Sequence, residues 1–151
     1  MSARADTRTF SIKEASALTG LPASTLRYYE SIGVVRPPSR SASSGHRVYD
    51  EDDLDVLMWV ACLSATGMSV NDMRQYVANS VLGPAAAGLQ VELLAAQGRR
   101  LEREAELLAV RRRYVQLKVD YWKAVVAGDE EGAATWSASA AELADELRKA
   151  K

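Results

Sequence analysis

Seven consecutive residues, Ser24-Thr25-Leu26-Arg27-Tyr28-Tyr29-Glu30, place donors suited to a nucleic acid among apolar side chains at helical spacing. Arg27 can reach a guanine edge or a phosphate, Tyr28 can hold a phosphate through its hydroxyl, and Thr25, beside Ser24 at the segment's start, can do the same. Further along, Arg40, His46 and Arg47 lie in a Ser/Pro/Gly-rich stretch, a composition suited to a loop resting on a phosphate backbone. The chain has one cysteine, Cys62, and one histidine, His46. The two form no recognisable dyad. A glycine-rich phosphate loop and a metal-ligand cluster are both absent from the sequence, so no enzyme, metal or cofactor is expected.

The elements that must position these residues follow from the flanking sequence. Ser11, with Glu14 three residues on, makes a capping box for a first helix whose buried side is Ile12, Ala15 and Leu18. Thr19-Gly20-Leu21-Pro22 is a tight turn, and Pro22 suits the entry of a second helix that ends at Gly33. Leu26, Tyr29 and Ile32 are its inward positions, so Tyr29 reads as core. Two short helices joined by a Gly-containing turn make a helix-turn-helix, whose second helix enters the DNA major groove. Residues 36–49 read as a loop and short hairpin, with a turn at Ser43-Ser44-Gly45 and an extended run from His46 to Tyr49. Asp50 to Asp53 place negative charge at the start of a third helix, where the helix dipole favours it. Its expected stripe is Leu54, Leu57, Met58, Ala61, Cys62 and Ala65. Ser69 caps a fourth helix, with Met73, Tyr76 and Val77 facing inward.

From about Leu89 to Val126 one long helix is expected. Leu94, Leu101, Leu108, Val115 and Trp122 recur every seven residues, and Val91, Gly98, Ala105, Arg112, Val119 and Val126 fill the other seam position. Such a helix would be roughly 55 Å long. An exposed stripe of that length needs a partner, and a second copy is the simplest one. Arg112 in that seam would need an acidic partner. After Gly128-Asp129, an Ala-rich segment predicts a last helix with Trp136, Leu143 and Leu147 on one side. The expected division is 8–82 for the helix-turn-helix unit, 86–127 for the dimerisation helix and 129–151 for the last helix, with residues 1–9 frayed. The fold class is mainly α with a small β-hairpin.

Composition sets outer limits. Apolar residues make up 48%, enough for a core, and net charge is −1. Residues 1–49 hold seven Lys/Arg (Arg4, Arg8, Lys13, Arg27, Arg36, Arg40, Arg47) against three acids (Asp6, Glu14, Glu30), which suits a basic face at one end. With no apolar run near a membrane span and no apolar signal core, a soluble cytoplasmic protein without a membrane partner is expected.

These residues resemble the MerR family of transcriptional regulators. The resemblance rests on Thr25-Leu26-Arg27-Tyr28-Tyr29-Glu30 with Gly33, on Arg47-Val48-Tyr49 followed by Asp50 to Asp53, and on Thr66-Gly67-Met68-Ser69, in that order over residues 10–80. It implies a winged helix-turn-helix dimerised through an antiparallel coiled coil. It further implies a pseudo-palindromic promoter whose overlong spacer is bent and untwisted so that RNA polymerase can use it. By the same resemblance, Thr25, Arg27 and Tyr28 are recognition-helix contacts, Arg47 and Tyr49 are wing contacts, and Ser11 and Lys13 are phosphate contacts.

The signal is a separate question. Thiolate ligands for a soft metal or an iron–sulfur cluster are missing. Cys62-Leu63-Ser64-Ala65-Thr66-Gly67-Met68-Ser69 looks like the branch that senses aldehydes and other electrophiles through one cysteine. The competing reading makes Cys62 a small packing residue. Another places an apolar ligand among Tyr114, Tyr121, Trp122 and Trp136, against plain packing of the helix end. A last alternative is a coiled-coil adaptor that does not bind DNA.

Overall fold

A computed structural model describes residues 7–150. Arg4 and Asp6, and most of the segment expected to fray, lie outside the described residues. The chain divides into two units, one ending at Leu94 and one beginning at Ala95.

The first unit starts with Phe10, whose backbone bridges Tyr49 in both directions at 2.8 Å. Helix α1 (Ile12–Thr19) follows, opened by the Ser11/Glu14 capping box and closed at Gly20, where φ is +74°. Helix α2 (Ala23–Ser31) begins behind Pro22 and ends at Ile32. Gly33, at φ +75°, then turns the chain in a left-handed conformation that glycine adopts without penalty. Strands β1 (Ser39–Arg40) and β2 (Arg47–Val48) form the antiparallel hairpin, with Ser39 opposite Val48 and Arg40 opposite Arg47. Helix α3 (Glu51–Ala65) and helix α4 (Val70–Leu82) complete the domain, and a 3-10 turn (Gly83–Ala86) leads into helix α5 (Ala87–Val126).

The core of this unit joins α1 through α4. Leu26, Val34, Leu57, Val60 and Met73 are its most deeply buried large side chains, and Phe10, Ala15, Tyr29, Tyr49 and Met68 surround them. Two expectations are corrected here. Leu18 is exposed, because α1 turns Ala15 and Thr19 inward instead. On α3, Met58, Cys62 and Ala65 are exposed, and the buried positions are Asp53, Leu57 and Val60. Asp53 can be buried because it is fully partnered at the helix start. Asp50 and Asp53 make a reciprocal cap, with Asp53 N donating to Asp50 Oδ1 at 2.7 Å and Asp50 N to Asp53 Oδ2 at 3.1 Å. Arg36 Nε donates to Asp53 Oδ1 at 2.7 Å, so the buried carboxylate is paired with a largely exposed guanidinium. The inward face then runs through positions 53, 57 and 60.

In the second unit, the remainder of α5 is followed by a short turn and by α6 (Glu130–Lys149), which Asp129 caps through Gly132 N at 2.9 Å. Leu117, Ala124 and Ala140 are buried; Leu107, Val110, Tyr114, Tyr121, Leu143 and Leu147 are half-buried. Positions 107, 110, 114, 117, 121 and 124 alternate steps of three and four, so they form one helical stripe. The seam expected from the sequence is a different stripe. Val91, Leu94, Leu101, Leu108, Val115, Val119 and Trp122 are all exposed in the single chain, Leu108 at 55% and Val115 at 62%. Gly98 and Arg112 in that seam are exposed as well.

Candidate nucleic-acid interface

Helix α2 has two faces. Leu26 and Tyr29 face the core, where the Tyr29 hydroxyl lies 3.3 Å from Ser64 Oγ on α3 and donates to it. Ser24, Arg27 and Tyr28 are exposed and Thr25 is half-buried. An exposed Arg beside a Tyr that is 52% exposed gives this surface a cation and a hydroxyl, and the nearby acid of the same helix, Glu30, is engaged by Arg47. The structure thus brings all four sequence-expected α2 residues to one short helix.

The hairpin is tied to this helix. Arg47 Nε donates to Glu30 Oε2 at 2.7 Å, in a pair whose side chains are 21% and 16% exposed. That bond uses one edge of the guanidinium and leaves its other N–H groups for a further acceptor. Arg40 Nη1 donates to the Gly45 carbonyl at 3.1 Å, bracing the hairpin turn, and His46 is exposed beside it. Ser11 Oγ accepts from Glu14 N at 3.2 Å, so this hydroxyl serves the helix cap; Lys13 is exposed. The bonds from the Ser11 backbone and side chain hold the Glu14 carboxyl below its ordinary range.

Tyr49 departs from its expected role. It is 2% exposed, its ring belongs to the core, and its hydroxyl has no hydrogen-bond partner among the described residues. Burial raises the phenol above its ordinary pKa. A side chain buried this far offers no surface to a phosphate, so Tyr49 serves the core and not the wing.

Two residues outside the sequence-based set hold this surface in place. Arg36 bridges the base of the hairpin to the α3 cap through Asp53 and Asp50, whose carboxylates raise its own pKa. Arg74, on α4, reaches the end of α2 and donates to the Ile32 carbonyl. Neither interaction has a local sequence signature, because each partner lies at least 14 residues away.

Cys62 is exposed on α3, with Met58 and Trp59 also on the outer side. At the far end of α5, Tyr121 and Trp122 stack edge to face at 5.1 Å, and Val115, Lys118, Val119, Trp122, Lys123 and Val126 line a shallow groove. That groove lies on the exposed seam.

The fold and this surface define a helix-turn-helix transcriptional regulator. Residues 10–80 match the family described as MerR HTH family regulatory protein. An uncharacterized HTH-type transcriptional regulator of Pseudomonas aeruginosa is 36% identical over 111 residues, which are 73% of this chain and 83% of that protein. Another uncharacterized HTH-type regulator, YyaN of Bacillus subtilis, is 41% identical over 68 residues, 45% of this chain and 49% of that one. The chain thus spans about half the length of several curated relatives it matches. Among solved structures, HiNmlR, a MerR family regulator lacking the sensor domain and bound to promoter DNA, superposes with a TM-score of 0.63. It is 24% identical, with 80% of this chain and 96% of that chain covered, a likeness that establishes the fold. The chain belongs to the MerR family of transcriptional regulators. Its relatives and fold are those of regulators rather than enzymes. Among the described residues no helix is long and apolar enough to cross a membrane.

Proposed function

We propose that this regulator works in the cytoplasm and binds a pseudo-palindromic promoter as a homodimer, with α2 in the major groove and the hairpin on the adjoining backbone. Arg27 reads a base edge. Ser24, Thr25 and Tyr28 hold phosphates around it, and Lys13, Arg40, His46 and the free edge of Arg47 extend the backbone contacts, with Ser11 at the α1 start. The observation that carries this reading is the exposed Arg27–Tyr28 face of α2 beside a hairpin fixed to the same helix by Arg47 and Glu30.

The domain roles follow the division 8–82, 86–127 and 129–151. The exposed Leu/Val seam of α5 pairs with its copy in an antiparallel coiled coil, which explains why so much apolar side chain is left uncovered in one chain. Two copies bring two α2 helices to two half-sites. Bending the spacer between them costs several kcal/mol, on the order of 1–6, offset by contacts made only in the bent state. RNA polymerase then engages the realigned promoter elements.

The signal we assign is an electrophile at Cys62. Its exposure on α3 supports this, since a reactive thiol needs access. The Cys62 thiol releases its proton and its sulfur adds to the aldehyde carbon; the C–S bond forms as the C=O π bond opens, and the resulting alkoxide takes up that proton to give a hemithioacetal. Heavy-metal-dependent regulators occur among the relatives, but one cysteine and one histidine give this chain too few soft ligands for such a site. A non-covalent ligand beside Trp122 is less favoured, because the groove there lies on the seam that dimerisation covers.

Promoter binding and in-vitro transcription test the reading. Wild type should bind with a steep salt dependence, and Arg27→Ala should lose specific binding while remaining dimeric; an unaltered Arg27→Ala would overturn the recognition-helix assignment. A small aldehyde should leave an adduct on Cys62 and change transcription in wild type but not in Cys62→Ser. No adduct, or an equal response in the mutant, would overturn the assignment of Cys62 as the sensor.

A further inference from the structure

The carboxyl end of α2 is held from outside. The helix ends at Ile32, whose carbonyl points away from any further turn because Gly33 leaves the helix at φ +75°. Arg74 of α4 fills that position. Its Nε donates to Ile32 O at 3.0 Å and its Nη2 to the same oxygen at 2.6 Å, while Nη1 donates to Asn71 Oδ1 at 3.0 Å. Both nitrogens on one edge of the guanidinium therefore converge on one backbone oxygen, and the opposite side is fixed by a residue one turn back on α4. A cation at a helix carboxyl end also offsets the partial negative charge there.

The anchoring at the other end is equally firm. Arg74 follows Met73, which is among the most deeply buried side chains of the core. Ser69 caps α4 at Asp72 N, in the same turn. The backbone of α4 at position 74 cannot shift without disturbing that packing. A rigid element, through a planar fork, thus fixes the capping carbonyl at the end of the helix that carries Arg27 and Tyr28. Arg27 lies in the middle of this nine-residue helix and Ile32 caps its end, so a tilt at Ile32 displaces Arg27.

We propose that Arg74 is a positioning residue for DNA recognition: it sets the tilt of α2 from α4 and thereby the discrimination between specific and non-specific DNA, without touching DNA itself. This rests on the reading of α2 as the recognition helix. A strut of this kind predicts a particular pattern. Losing it leaves the number of phosphate contacts unchanged, so the slope of affinity against salt stays at the wild-type value. Base contacts, which need alignment within fractions of an ångström, weaken.

The test compares wild type, Arg74→Ala, Arg74→Lys and Arg27→Ala, all full-length. Each is titrated with an operator duplex and with a scrambled duplex across salt concentrations, well below its own melting temperature. Arg74→Ala should lose about tenfold in the specific-to-nonspecific ratio with an unchanged salt slope. Arg74→Lys, which keeps the cation and one donor at a time, should recover part of the ratio. It also keeps the inference testable if Arg74→Ala folds poorly. A stability role alone would lower the melting temperature and leave the ratio intact, overturning the proposal. A shallower salt slope in Arg74→Ala would make Arg74 a phosphate contact and overturn it as well. Wild-type discrimination by Arg27→Ala would instead bring down the recognition-helix reading itself.

Discussion

The unit ending at Leu94 and the unit beginning at Ala95 use apolar periodicity in opposite ways. In the first, Leu26, Leu57 and Met73 come from different helices and close a core within one chain. In the second, α5 carries two stripes: one is covered within the unit through Leu117 and Ala124, and the other, through Leu101, Leu108 and Val115, is left open. Apolar spacing alone therefore fixes which side chains seek cover and leaves open what covers them. Short helices joined by tight turns can fold back on one another. A helix of 40 residues presents more surface than a single 20-residue helix can cover.

The largest effect is expected at the open stripe. Leu108→Glu or Leu101→Glu should convert a dimer into monomers in analytical ultracentrifugation, because two charges would face each other or an apolar partner in the seam. An intact dimer would show that the stripe serves another purpose. Next in size is the closed core. Leu57→Ala should cost about 2–5 kcal/mol in urea unfolding while the purified protein stays dimeric, and a change in association state instead would blur the distinction between the units. Smaller still, Ser11→Ala removes the α1 cap and should cost about 1 kcal/mol, read by the same unfolding experiment. The smallest effect concerns Glu14. Its carboxyl lies below its ordinary pKa in the folded state through the Ser11 bonds. The stabilisation it gives is therefore present above the unfolded-state value and is lost as pH falls through the lowered folded value. Glu14→Gln should flatten this part of the acid limb of a stability–pH profile, and an unchanged limb would mean that the exposed cap carries no linkage.

What the sequence reveals follows the same divide. The exposed face of α2 could be read from Thr25, Arg27 and Tyr28 because helical spacing separates them from Leu26 and Tyr29. Tyr49 could not be placed from sequence alone. An alternating Arg-Val-Tyr run in a hairpin does not tell which face is inward, and Phe10, which pairs with it, lies 39 positions earlier behind a polar segment. Met58 and Cys62 share the helical spacing of an apolar stripe, but the buried face of α3 runs through Leu57 and Val60 and leaves both outside it. The covered stripe of α5 is masked in the sequence by the seam, because Leu107, Tyr114 and Tyr121 each sit one residue before a seam position, about 100° around the helix. Arg74 gave no signal, since its acceptor is a backbone carbonyl that any residue at position 32 would supply.

The most direct test of the account is to select duplexes from a random-sequence library with the purified wild-type protein and sequence those retained. An inverted repeat with two matching half-sites at a fixed separation should be enriched, as two α2 helices related by a dimer axis require. Recovery of a lone half-site, or of no preferred sequence at all, would contradict it.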